Sequence, residues 1–273
     1  MADCPKINII FRSCDVVNAV NKSPRPFGLD KKTLIKICFN SLYKASKGYN
    51  CNIIVVGDNL SDEMKSFYLK NDIQLIEGVF GNDNSIRKTL NIASDFDESE
   101  WVYFCEDDYL HEPGFFENIV SLIKEKESLI PGRIRIKKLL KKRYITLLSF
   151  PRYFTKPGVV IFPCNYPDRY KPEYMEKSFI FKTSTSHWRQ VSDTTFTFLI
   201  QVSDIKKYSR VLLKSSHRAN DRYLSANLYG KSFFFNKLLC LSPLPSLSTH
   251  MHTETMSPTF GIERLVNQLK QEI

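Results

Sequence analysis

The chain has 273 residues, with 39 Lys and Arg against 29 Asp and Glu and a formal net charge of +10. At 42% hydrophobic and 25% charged it can bury a large core, which excludes disorder and collagen-like structure. The charge is uneven: residues 1–127 carry 15 cations and 20 acids, residues 128–167 nine cations and no acid, and residues 168–273 15 cations and 9 acids, a pattern that argues against a uniformly basic nucleic-acid binder.

In chain order, residues 7–11 form a short apolar run of buried-strand type, and Asp30 is placed to cap a helix in which Leu34, Ile35, Cys38, Leu42 and Ala45 recur at helical spacing. A second strand is predicted at 51–56, a helix at 62–70, a third strand at 73–76, a helix at 85–94 and a fourth strand at 101–105. This alternation implies right-handed crossovers and a mostly parallel sheet covered by helices on both faces. A helix follows Pro113 and Gly114 to about residue 127, and the acid-free segment then offers a basic helix at 133–143. Two β-type runs, 178–183 and 194–202, flank the turn 184–186 and His187-Trp188-Arg189, and helices are expected near 204–213 and 220–229.

No apolar run approaches the roughly 20 residues that span a bilayer, and the N-terminus lacks a signal-peptide pattern, so the expected location is the cytosol. Seven cysteines, an odd count without a C-x-x-C pair, argue for reduced buried thiols rather than structural zinc or a disulfide framework.

Ligands of an open parallel sheet bind at the carboxyl ends of its strands. Four such positions are polar here: residues 12–15, with Arg12 and Asp15; Asp58-Asn59; residues 82–85; and Glu106-Asp107-Asp108. Three successive carboxylates after a buried strand repel one another unless a cation neutralises them, and a hard divalent ion shared with a diphosphate is one solution. The plain alternative is that Asp107 or Asp108 caps a helix or is solvated.

Residues 56–63 resemble the second-strand signature of family 2-type glycosyltransferases of the GT-A fold, and residues 103–113, containing Glu106-Asp107-Asp108, resemble their metal-binding DxD strand. Residues 81–91, with Asn84, Ser85 and Arg87, are similar to the loop and helix packed near the donor, so the likeness spans about 5–115. In the second half, residues 217–224, with Gly230 and the Phe run 233–235 after them, resemble the helix that carries the general base of inverting members. Here Asn220 replaces the first acid and Asp221 remains the candidate, with Asp193 as second choice. His250 falls where such enzymes often complete the metal site, and His252 is an alternative.

The resemblance implies a single GT-A-like α/β domain over 1–273, with a donor half at 1–115, a basic insert at 128–158 and an acceptor half at 159–273. It implies transfer of a sugar from a nucleotide-diphosphate donor, UDP in the first instance, to a glycan, lipid-linked or other hydroxyl acceptor, by single displacement with inversion. Mn²⁺ or Mg²⁺ would sit on Asp108 and His250. Arg12, Asp15, Asp58, Asn84, Ser85, Arg87, Glu106 and Asp107 would face the nucleotide sugar, and Asp168, Arg169, Trp188 and Arg189 the acceptor.

Each role has a plain competitor. Asp58 and Asp221 could be helix caps, His250 a surface residue, and Trp188 with Arg189 a pair at the core edge. The segment 133–143 could be a solvated face or a peripheral contact with a membrane or an anionic acceptor. Three other functions compete. A sugar-1-phosphate nucleotidyltransferase needs a Gly-rich loop after the first strand, where the chain has Arg-Ser-Cys-Asp. A two-metal nuclease needs a second acidic cluster. A non-enzymatic basic nucleic-acid or membrane adaptor explains the charge but not the polar strand ends.

Overall fold

A computed structural model describes residues 4–16, 25–71, 73–129, 157–171, 173, 178–229, 237–258 and 261–273. The basic helix expected at 133–143, most of the insert 128–158, Gly230 and the Phe run 233–235 lie outside the described residues.

Four parallel strands form one side of a nine-stranded sheet: β1 (Ile7–Ser13), β2 (Cys51–Asp58), β3 (Gln74–Gly78) and β4 (Trp101–Glu106). Strands β1 and β4 read as near-continuous apolar runs because helices cover both their faces. The crossovers are α1 (Lys31–Ser46), α2 (Asp62–Lys70) and α3 (Asn82–Ser94). Asp30 caps α1, its Oδ1 accepting the Thr33 N–H at 3.0 Å.

Beyond β4 come the two-stranded pair β5 (Tyr109–His111) and β11 (Ser248–His250), and α4 (Phe115–Leu129). The sheet continues through β6 (Gly158–Ile161), β7 (Ile180–Lys182), β8 (His187–Gln190), β9 (Phe198–Gln201) and β10 (Leu238–Leu244), in the order β3-β2-β1-β4-β9-β6-β10-β8-β7. Among the described residues, only β9 and β8 oppose the other strands of this sheet. The mostly parallel α/β architecture is the expected one, and the sheet runs unbroken through both halves of the chain.

Three details differ from the expectations. His187–Gln190 is itself a strand, β8, because it pairs with β10 and buries Trp188 and Gln190 on one face. The helix expected at 204–213 is two helices, α5 (Val202–Lys207) and α6 (Ser209–Ser215), broken at Tyr208, whose ψ of 18° is not helical. Helix α3 starts at Asn82, three residues early, after Gly81 adopts φ 74°, a left-handed conformation that glycine takes without cost.

The main core lies on both faces of the sheet, and Phe11, Phe39 and Tyr68 form an edge-to-face aromatic cluster in it. A smaller core forms where α8 (Ile262–Lys270) lays Ile262, Val266 and Leu269 against Leu34, Ile37 and Cys38 of α1. Each such buried aliphatic side chain contributes about 1.5–3 kcal/mol. Met251, directly after β11, is buried in the same cluster, so this packing steadies the end of the strand that carries His250.

Candidate active site

At the carboxyl ends of β1, β2 and β4 a cleft of about 550 Å³ opens, a size ordinary for a small-molecule site. Its lining includes Arg12, Asp58, Asn82, Glu106, Asp107, Asp108, Asp221, His250 and His252. The parallel register sets Arg12 of β1 beside Glu106 of β4, where they form an ion pair of 2.6 Å. The same guanidinium donates to Asn82 Oδ1 at 2.8 Å and to Ser85 Oγ at 3.4 Å, which ties the first strand to the start of α3.

Asp107 and Asp108 sit in the tight turn between β4 and β5. Asp107 accepts the backbone N–H of Cys14 at 2.8 Å, and burial, reinforced by the Asp108 charge, pushes its carboxyl up to about 6. Asp108 meets His250 Nε2 at 3.0 Å and His252 Nε2 at 3.8 Å. Burial opposes its ionisation, but the two imidazoles hold its carboxyl below the ordinary value. Burial likewise works against protonation of His250, and the Asp108 carboxylate overcomes it and raises the imidazole. One ligand atom each from Asp108, His250 and His252 lies within 4.8 Å of the others. The Asp108 Oδ1 atom is buried and has no hydrogen-bond partner among the described residues. A carboxylate oxygen and two imidazole nitrogens so gathered, with a buried oxygen left over, fit one divalent cation.

Asp221 opens α7 (Asp221–Leu228) but does not cap it. Asn220 is the cap, its Oδ1 accepting the Tyr223 N–H at 2.8 Å. This frees Asp221 to face the cleft, where its Oδ1 is buried and without a partner among the described residues. Burial, with the Glu106 charge second, pushes this carboxyl up to about 7. A carboxylate near neutrality is suited to taking a proton at physiological pH.

Other expected positions make contacts within the scaffold. Asp58 lines the cleft, but its Oδ1 accepts the Phe80 and Gly81 N–H groups at 2.7 and 3.0 Å, holding the loop before α3; it does not cap α2. Asp15 is outside the cleft lining: it accepts both the N–H and the hydroxyl of Ser61, at 2.9 and 2.5 Å, and clamps the end of β1 to the start of α2. Asn84 donates to Phe80 O at 3.0 Å, Ser85 donates to Asn82 O at 2.8 Å, and Arg87 donates to Ser216 Oγ at 3.1 Å, so all three brace α3.

Among the residues expected to face the acceptor, the expectation for Trp188 is corrected. The residue is 0% exposed and its indole N–H donates to Thr183, so neither ring face is open to a sugar. Arg189 donates to Asn165 Oδ1 at 2.8 Å and to Arg169 O at 3.2 Å, while Arg169 pairs with the half-exposed Asp193. Asp168, on the short helical turn Pro167–Tyr170, keeps a buried Oδ1 without a partner among the described residues. None of Asp168, Arg169, Arg189 and Asp193 lines the cleft. The sequence reading missed Arg25, Lys31 and Arg218, which do line it; their only signal was a cation beside a predicted loop or helix start.

No helix among the described residues is long and apolar enough to cross a membrane. No curated protein sequence matches the chain. Among solved structures, it is similar to the galactosyltransferase LgtC in complex with donor and acceptor sugar analogues, at 10% identity over 97% of this chain and 96% of that one, with a TM-score of 0.42. It is also similar to the mannosyltransferase PcManGT from Pyrobaculum calidifontis in complex with GDP-Man and Mn²⁺, at 13% identity over 60% and 43% of the two chains, TM-score 0.32. A third similar structure is a CMP:2-keto-3-deoxy-manno-octonic acid synthetase complexed with CTP, at 8% identity over 98% and 100%, TM-score 0.43. These scores are too low to speak for any one activity. A sequence profile described as glycosyl transferase family 2 matches residues 30–183, more than half of the chain and the part that carries Asp58, Glu106, Asp107 and Asp108. The chain belongs to glycosyl transferase family 2.

Proposed function

We propose that the enzyme transfers a sugar from a nucleotide-diphosphate donor, UDP-linked by our reading, to a hydroxyl acceptor, with a divalent cation on Asp108, His250 and His252 and with inversion at the anomeric carbon. The observation that carries this reading is the meeting of Asp108, His250 and His252 in one cleft with Asp221. Two imidazoles beside one carboxylate favour Mn²⁺ over Mg²⁺, which prefers oxygen ligands. When bound, the ion supplies a Lewis acid that neutralises the charge developing on the departing diphosphate.

The chain's own groups do the rest. Asp107, braced by the Cys14 N–H, and Glu106, fixed by Arg12, frame the donor side. Asp58 spends Oδ1 on the loop and keeps Oδ2 for the imide N–H of a uracil-type base. Asp221 takes the proton of the acceptor hydroxyl as its oxygen bonds to the anomeric carbon, and the bond to the diphosphate breaks with its electron pair leaving on phosphate oxygen. Asp168, Arg169 and Arg189, which stand outside the cleft lining, are read as the acceptor side. The basic segment 133–143, outside the described residues, is read as the contact for an anionic acceptor or a membrane surface.

The test is a panel of UDP-glucose, UDP-galactose, UDP-N-acetylglucosamine and GDP-mannose, scored for thermal stabilisation and slow hydrolysis with MnCl₂ and with EDTA, in wild type and D108A. A metal-dependent response lost in D108A supports the reading. No metal-dependent response to any donor overturns it, and turnover of a sugar 1-phosphate with a nucleoside triphosphate would assign the cleft to nucleotidyl transfer.

A further inference from the structure

Asp221 is delivered to the cleft by a turn, residues 216–219, that ends in an unusual backbone. Arg218 has φ 57° and Ala219 φ 42°, and neither is a residue that favours the left-handed region. Two such residues in succession carry a conformational cost and persist only where surrounding contacts over-determine them. The bonds inside the turn, Ala219 N–H to Ser216 O and Asn220 N–H to Ser215 O, are local and do not fix its place against the rest of the protein.

Two residues of α3, Asp83 and Arg87, do fix it. Asp83 Oδ2 accepts the Arg218 backbone N–H at 2.9 Å and lies 3.3 Å from His217 Nδ1. Four residues on, and so on the same face of the helix, Arg87 Nε donates to Ser216 Oγ at 3.1 Å. The beginning of this helix is anchored to the opposite wall as well, through Asp58 to the Phe80 and Gly81 N–H groups and through Asn82 to Arg12. Helix α3 therefore joins the strand-end wall, where the diphosphate is read to lie, to the turn that carries the proton acceptor.

We infer that Asp83 is a positioning residue for the transfer reaction: by accepting the Arg218 N–H it holds the left-handed turn that aims Asp221 into the cleft. This rests on the reading of Asp221 as the base, but the contact itself is independent of that reading. The arrangement makes the placement of the base depend on the helix that also borders the donor, so loss of Asp83 lowers turnover without loosening the donor.

The test compares D83A with D83N. Both remove the charge from the first turn of α3 and the pairing with His217, but the amide oxygen of Asn still accepts the Arg218 N–H. Two readouts are used on each purified full chain: amide hydrogen exchange over 216–221 without substrate, and release of UDP with MnCl₂ from whichever of UDP-glucose, UDP-galactose and UDP-N-acetylglucosamine turns over fastest. In D83A, exchange over 218–221 rises at least tenfold and kcat falls about 10- to 100-fold while the donor KM stays within twofold, as expected for misplacement of a reacting group. In D83N both return to within about threefold of wild type. Unchanged exchange in D83A overturns the inference. Equal losses in D83A and D83N also overturn it, since the charge alone would then matter, and so does a matched change in kcat and KM. D221N separates the two readings: wild-type turnover in D221N removes the base assignment and leaves exchange to decide the contact, whereas an inactive D221N beside a fully active D83A removes only the role of Asp83.

Discussion

The Asp108 carboxylate and the His250 imidazole, 142 residues apart in the chain, meet at 3.0 Å because β11 returns antiparallel to β5 and sets His250 opposite Tyr109. The ring is held by stacking on Tyr109, centroids 5.0 Å apart, and by a 2.8 Å hydrogen bond between its Nδ1 and Thr255 Oγ1, which turns Nε2 toward Asp108. D108A and H250A are each expected to abolish measurable Mn²⁺ binding in the presence of UDP. T255V, which only frees the ring to turn, weakens binding about tenfold. Isothermal titration calorimetry checks the series; full affinity in H250A removes His250 from the site.

Asp221 joins activity to stability. Its folded-state carboxyl titrates at about 7, above the ordinary 3.8, so the folded protein holds this proton more tightly than the unfolded chain does. The resulting contribution to stability is complete below about pH 4 and is lost as the pH rises through 7. D221N, which is always neutral, should be more stable than wild type by on the order of 2 kcal/mol at pH 8, with the difference vanishing near pH 4. Its kcat should fall by about 10²- to 10⁴-fold. In wild type, kcat/KM should rise with pH through about 7, an ionisation that Glu106 opposes and Arg12 and His250 assist. Urea melts and pH–rate profiles measure these outcomes.

Asp58 holds the loop before α3 through two backbone N–H groups on one oxygen. D58A leaves both without their acceptor and should cost about 1–3 kcal/mol by chemical denaturation. D58N retains an oxygen at that place and should cost less. Equal losses would show that charge, not the acceptor geometry, holds the loop.

Single displacement with Asp221 as base requires inversion at the anomeric carbon. Proton NMR of the first product formed, before mutarotation, reads the configuration directly. Retention relative to the donor would exclude this mechanism.

The first four strands were legible in the sequence because they appear as apolar runs, such as Ile7 to Phe11, which is buried on both faces, and because polar residues follow them at the same edge of the sheet. The caps were legible too: Asp30 acts as expected. What the sequence hid depends on tertiary pairing. Strands β5 and β11 are three residues each and exist only through each other, so the approach of both His250 and His252 to Asp108 could be narrowed but not decided. Strand β8 was hidden by the polar residues that alternate with Trp188, and the same alternation placed Trp188 in the core rather than at a sugar. The expectation for Asp15 missed that Ser61 would claim both its oxygens. Asp83 carried no signal at all, since its contact with Arg218 spans 135 residues and goes to a backbone N–H.

Diffraction at the manganese absorption edge from crystals grown with UDP and MnCl₂ tests the central claim most directly. The account predicts one anomalous peak within coordination distance of Asp108, His250 and His252, at the wall of the cleft that Asp221 faces. Ordered UDP with no manganese at these three residues, or manganese held elsewhere in the cleft, would contradict it.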